Sequence, residues 1–178
     1  MNILIITGSP RKGGNTDLLA EAFAKGTSQN HSVEVVSVRD IQVNPCVGCN
    51  ACFNSGNHIC VQKDNMHEIY KKMASADILV IASPVYFYGL SSQLKAVIDR
   101  LHNPIRDTFH IKKMVLLLVG ASNLPKLFDS ILTQYQLCLK FFNIEDAGKV
   151  LVRGVKEKGD IRNTDALERA FELGRTIH

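Results

Sequence analysis

Short runs of consecutive apolar, largely β-branched residues alternate along the chain with longer stretches in which apolar residues return every third or fourth position. The short runs are Asn2 to Ile6, Val33 to Val38, Ile78 to Ala82, Lys113 to Val119 and Lys149 to Gly154. Their length and near-continuous apolarity predict strands covered on both faces. Between them, Leu18, Leu19, Ala22 and Phe23 make one helical stripe, and Met66, Ile69, Tyr70 and Met73 follow i, i+3, i+4, i+7. Leu94, Val97, Ile98 and Leu101 repeat that spacing, Leu127, Ile131, Tyr135 and Leu139 recur at every fourth residue, and Leu167, Ala170, Phe171 and Gly174 mark a last helix. Asn65 with Glu68 has the form of a capping box, and Ser91 or Ser92 can cap the helix that follows.

Five strands alternating with five helices predict an α/β fold. Right-handed crossovers make a doubly wound, five-stranded parallel sheet in the order 2-1-3-4-5, with helices on both faces, the most economical topology. Ligands in such a sheet bind beyond the carboxyl ends of the strands. No linker or repeat interrupts the pattern, so residues 1–178 are expected to form a single domain. A chain of that size buries roughly 70% of its unfolded surface without help from disulfides. The one long connection, Arg39 to Asp64, is expected to be functional or to contain structure of its own.

The net charge of +4 comes from scattered Lys and Arg, without the basic run of a nucleic-acid surface. Apolar runs such as Ile3 to Ile6 are too short for a membrane span, and Met1-Asn2-Ile3 lacks the charged head of a signal peptide. The expectation is a cytoplasmic protein with reduced thiols and no nucleic-acid or membrane partner.

Chemistry concentrates in three segments. After the first strand, Gly8-Ser9-Pro10-Arg11-Lys12-Gly13-Gly14-Asn15-Thr16 combines glycines, hydroxyls and cations with a helix start whose amides and dipole favour an anion. It has neither the Gly-Lys-Ser/Thr ending of a nucleotide-triphosphate loop nor G-x-G-x-x-G, and a tight turn with incidental charges is the plain alternative. After the third strand, Ser83-Pro84-Val85-Tyr86-Phe87-Tyr88-Gly89 carries three successive aromatics that cannot all enter one core. They suit the wall of a flat ring system, unless they pack under a neighbouring loop. Gly120-Ala121-Ser122, at the end of the fourth strand, is a third loop at the same edge, small enough to admit a ring.

These first two loops, together with Leu94-Lys95-x-x-Ile98-Asp99-Arg100, resemble the NAD(P)H-dependent FMN reductase branch of the flavodoxin-like superfamily. The likeness implies FMN as cofactor and NAD(P)H as co-substrate, with a small quinone, nitro, azo or flavin acceptor and a homodimer or homotetramer. It places the FMN phosphate on Ser9, Arg11, Asn15 and Thr16, with Lys12 nearby, and the isoalloxazine against Pro84, Val85, Tyr86 and Phe87. Gly120 and Ser122 are further candidate flavin neighbours. No side chain stands out as an essential acid or base, so catalysis is assigned to the cofactor's chemistry. Asp99 and Arg100 read as a helix-face ion pair or a dimer contact.

Cys46-x2-Cys49-x2-Cys52-x7-Cys60 lies inside the long connection. Its spacing permits a metal centre, zinc or iron-sulfur, and equally a metal-free loop of reduced thiols. It resembles the cysteine motif of iron-sulfur flavoproteins, which implies a 4Fe-4S cluster beside FMN and electron transfer as an alternative function. A non-catalytic flavin-binding module that docks to a partner is a second alternative. Cys138 fits the buried stripe of its helix.

Overall fold

A computed structural model describes all 178 residues. The five strands, β1 (Asn2–Thr7), β2 (Ser32–Ser37), β3 (Ile78–Pro84), β4 (Lys113–Val119) and β5 (Glu145–Val152), form one parallel sheet in the order β2-β1-β3-β4-β5. The helices are α1 (Asn15–Thr27), α2 (Ala51–Asn54), α3 (Met66–Ser75), α4 (Ser92–Arg100), α5 (Asp129–Phe142) and α6 (Ala166–Arg175). Two 3-10 turns, Pro104–Thr108 and Asp160–Asn163, complete the chain. No helix is long and apolar enough to cross a membrane.

The strict alternation of side chains along each strand divides the interior into two cores. Ile3 and Ile5 of β1, Ile78 and Val80 of β3, and Val115 and Leu117 of β4 pack with Leu19, Phe23 and Ala170 of α1 and α6. Leu4, Ile6, Leu79, Ile81, Leu116 and Leu118 point the other way, onto α3, α4 and α5 through Met66, Val97 and Ile131. With both faces covered, the three central strands are apolar at nearly every position, as the sequence pattern requires.

Three local expectations are corrected. Asn65 does not cap α3: its side-chain oxygen accepts from the Gln42 amide at 2.8 Å, Asp64 Oδ1 accepts from the Met66 amide at 3.1 Å, and Glu68 pairs with Lys71 instead. Strand β5 begins at Glu145, four residues before the apolar run, because Glu145 and Asp146 are polar and exposed on the sheet edge and the pairing with β4 skips Ala147. Asp99 and Arg100 are not partners; Asp99 pairs along the helix with Lys95, whereas Arg100 turns inward. Ser91 does cap α4, accepting from the Leu94 amide, and Gly8 passes so close beneath it that a Cβ would lie 2.8 Å from Ser91 Oγ.

Candidate cofactor cleft and cysteine cavity

The loops after β1, β3, β4 and β5 enclose an open cleft at the carboxyl edge of the sheet, where the strand order reverses between β1 and β3. One half is polar: Ser9, Arg11, Gly14, Asn15 and Thr16, of which Ser9, Asn15 and Thr16 are buried. No side chain caps α1, and the Asn15 and Thr16 amides find no acceptor in the chain. Buried amides without partners are costly unless something binds them. The other half is an apolar wall of Pro84, Val85 and Tyr86 facing Val119, Ala121 and Val155.

Asp17, which sequence reasoning missed, holds the polar half in shape. Buried in the first turn of α1, it accepts from the Gly13 amide at 2.8 Å and the Thr7 hydroxyl at 3.0 Å. Arg39, at the end of β2, donates to both of its oxygens at 2.8 and 3.1 Å and to the Ser9 carbonyl at 3.2 Å. An acid beside an anion site is thus neutralised by its own cation. Asn15 reaches across the fold: its amide nitrogen donates to the Glu157 carbonyl at 2.8 Å, and its oxygen accepts from the Gly159 amide at 2.9 Å. Arg11 donates to the Lys156 carbonyl at 3.2 Å.

Seven of the ten candidate cofactor residues line this cleft: Ser9, Arg11, Asn15, Thr16, Pro84, Val85 and Tyr86. Gly120 and Ser122 flank it. The Gly120 Cα packs under Leu127, where a Cβ would come within 2.4 Å, and Ser122 Oγ accepts from the Leu124 amide, leaving Val119 and Ala121 as the lining residues of that loop.

Phe87 stands at the tip of a two-residue turn closed by reciprocal 3.0 Å bonds between Tyr86 and Gly89, and is 98% exposed. Phe87 and Tyr88 have φ of 46° and 64°, a left-handed conformation that bulky residues adopt at a cost of about 1 kcal/mol or more each. Replacing the pair by Asn-Gly, which favours this turn, should raise the thermal midpoint by about 3 °C. An unchanged midpoint in a melting experiment would mean that the left-handed pair is not a source of strain.

The four cysteines of the long connection line a second cavity, which shares no residue with the cleft. Part of the connection is the short helix α2, and its His58 is tied to the Cys52 carbonyl. The sulfurs lie around one space, but no group of three or more metal-ligating side chains is gathered closely enough to hold an ion. Beneath them Arg100, 3% exposed, donates to Asp64 at 2.5 Å and to the Asn44 carbonyl at 3.2 Å. Cys138 is half-buried on α5 away from this cavity, and burial pushes its thiol pKa up.

Burial pushes the Asp64 carboxyl upward, but the Arg100 bond and the amides of Asn44 and Met66 bring it below its ordinary range. Asp146 behaves alike: burial raises it, while bonds from Lys149, the Gly148 amide and Tyr135 outweigh that and bring it below its ordinary range. A carboxyl with a depressed folded pKa adds stability above the unfolded value of about 3.9 and loses it as pH falls through the folded value. Urea unfolding midpoints should therefore drop as pH falls below about 4, and Asp64→Asn should flatten that drop. An equally steep drop in the variant would remove Asp64 as a source of acid sensitivity.

The profile of the NADPH-dependent FMN reductase family matches residues 1–141. The chain belongs to that family. An iron-sulfur flavoprotein of Methanocaldococcus jannaschii is 42% identical over 125 residues, covering 68% of this chain and 63% of the relative, so the match stops short of two thirds of that protein. A Bacillus subtilis protein provisionally named an NAD(P)H-dependent FMN-containing oxidoreductase is 29% identical, over 97% of this chain and 96% of its own. Among solved structures, an NAD(P)H:quinone oxidoreductase of Methanothermobacter marburgensis superposes with a TM-score of 0.80 at 16% identity, over 100% of this chain and 99% of that one, and shares the fold. Membership in the FMN reductase family agrees with a cleft that offers unpaired amides at one end and an apolar wall at the other.

Proposed function

We propose that the chain is an FMN-dependent NAD(P)H oxidoreductase that passes electrons to a small acceptor such as a quinone, a nitro or azo compound, or free flavin. The observation that carries this reading is the two-ended cleft: unpaired α1 amides with buried Ser9 and Thr16 hydroxyls opposite an open apolar wall. The donor set fits a phosphate, and the wall fits a ring system. FMN, when bound, supplies the chemistry of accepting a hydride and releasing electrons to the acceptor.

The protein's own contribution is placement. Ser9, Thr16 and the α1 amides would hold the phosphate, with Arg11 at the rim, while Asp17 and Arg39 fix the loop that carries them. Pro84, Val85 and Tyr86 would back one side of the ring, leaving the mouth of the cleft to the nicotinamide and then the acceptor. The names of the Bacillus and Methanothermobacter proteins favour this chemistry. A cytoplasmic homodimer or homotetramer of one-domain chains accords with it.

The test is the visible spectrum of the anaerobically purified protein before and after NADPH or NADH. Flavin absorption that bleaches with either nucleotide and returns on adding a quinone supports the reading; stoichiometric FMN that neither nucleotide reduces points to a non-catalytic flavin module.

A second reading, an iron-sulfur flavoprotein, is favoured by the four cysteines around one cavity above a buried cation, and by the name of the Methanocaldococcus relative. The donor chemistry fits a thiolate-ligated cluster held by Cys46, Cys49, Cys52 and Cys60, although the sulfurs stand apart in this structure. Iron and sulfide content after anaerobic purification separates the two.

A further inference from the structure

The floor of the cysteine cavity contains donors that the protein leaves without acceptors. Arg100 is 3% exposed and Asn103 5%, and both line the cavity with Cys60 and Tyr70. The Nη1 edge of Arg100 is occupied by Asp64 and the Asn44 carbonyl. Its Nε and Nη2, and the amide nitrogen of Asn103, are buried and have no partner. Tyr70 donates its hydroxyl proton to the Arg100 carbonyl at 2.8 Å.

An arginine cannot shed its proton to escape such a site, so its unpaired N–H groups are a standing cost. Asp64 already balances the guanidinium charge. What remains is directional donor capacity, held in a fixed plane by the two Nη1 bonds. Of the acceptors that line the cavity, which include the Asn50 and Gln62 side chains and Asp99, only the sulfurs gain acceptor strength on taking a metal, because a thiolate accepts N–H bonds far better than a thiol. Thiols become thiolates when they take a metal, each releasing its proton to solvent. A four-thiolate centre on a divalent ion is an anion whose sulfurs need outer donors.

We propose that Arg100 is the positioning residue of a thiolate-liganded metal centre in this cavity, its Nε–H and Nη2–H donating to cysteine sulfur while Asp64 fixes the guanidinium plane. This rests on the second reading above, that the four cysteines take a metal. It adds that the residue selecting for that centre lies on α4, outside the cysteine loop.

The test uses Co2+ as probe on the reduced, FMN-loaded full-length chain, followed by difference absorption of the sulfur-to-cobalt charge-transfer band. The wild type should bind with that band, and Arg100→Gln should bind about tenfold or more weakly, with the band moved to lower energy because its sulfurs have lost donors. Arg100→Lys, which keeps a charge but not the planar fork, should recover less than half of the lost affinity. In the wild type itself, the Arg100 Nε–H proton should exchange with solvent about tenfold more slowly once Zn2+ is added, a readout that does not require any variant to fold. If Arg100→Gln matches the wild type in affinity and band position, or if Zn2+ leaves the Arg100 proton unchanged, the assignment of Arg100 is overturned while the metal reading stands. A wild type that gives no charge-transfer band overturns both.

Discussion

Replacing Asp17 by alanine should lower the unfolding free energy of the flavin-free chain by about 3 kcal/mol, because one change strands three donors. Arg39 loses its carboxylate, the Gly13 amide its acceptor and the Thr7 hydroxyl its partner, in a region where Asp17 and Thr7 are both buried. The same substitution should weaken FMN binding by about tenfold or more, since the loop from Ser9 to Thr16 would no longer be fixed before the phosphate arrives. Urea titration and fluorescence titration of FMN measure the two effects separately. A variant with wild-type FMN affinity, whatever its stability, would show that the loop takes its shape from the ligand rather than from Asp17.

Gly26→Ala should cost about 3 kcal/mol, although alanine is the better helix former by about 1 kcal/mol. Helices α1 and α6 cross so tightly that a Cβ on Gly26 would lie 2.1 Å from the Phe171 carbonyl oxygen, and one on Gly174 would lie 2.4 Å from the Phe23 carbonyl oxygen. Both obstacles are backbone, which cannot rotate aside as a side chain can. Gly174→Ala should therefore cost a similar amount, and the double variant less than the sum, since either one already forces the helices apart. Gly56→Ala is the control, with nothing within 4 Å of its Cβ position. If Gly26→Ala and Gly56→Ala differ by less than about 0.5 kcal/mol, the helices can separate without loss and the close crossing is not a constraint.

Much of the architecture was legible because strands buried on both faces leave a plain trace. Ile3 to Ile6, Ile78 to Ala82 and Val115 to Val119 are apolar whichever way each side chain points, and their order and spacing lead to the observed sheet. The start of β5 was not legible, since Glu145 and Asp146 sit on an exposed edge and look like loop. Gly174 appeared as one more small residue in an apolar stripe; only the crossing of two helices distant in sequence reveals that it must be small. In the cleft, the glycines, hydroxyls and aromatics of two loops could be read directly. The Thr7–Asp17–Arg39 network could not, because its members come from a strand, a helix turn and the end of another strand, with no spacing to link them. The ion-pair reading of Asp99 and Arg100 failed for a related reason: neighbours in sequence suggest a surface pair, yet successive helix residues point about 100° apart, and Asp99 meets Lys95 at the surface while Arg100 turns to the buried Asp64.

The Asn15 bonds to Glu157 and Gly159 span more than 140 residues of sequence. During synthesis the anion loop emerges long before the backbone that Asn15 grips. The ribosome would have to release more than 140 further residues before the loop could be fastened, so cofactor capture would wait for the backbone around Glu157. Nascent chains ending before Glu157 would carry the whole phosphate motif and still lack the strut behind it. Stalled-ribosome complexes of graded length, probed for retained flavin, would then show uptake as a late step near residue 160, rather than gradual acquisition as successive strands join the sheet.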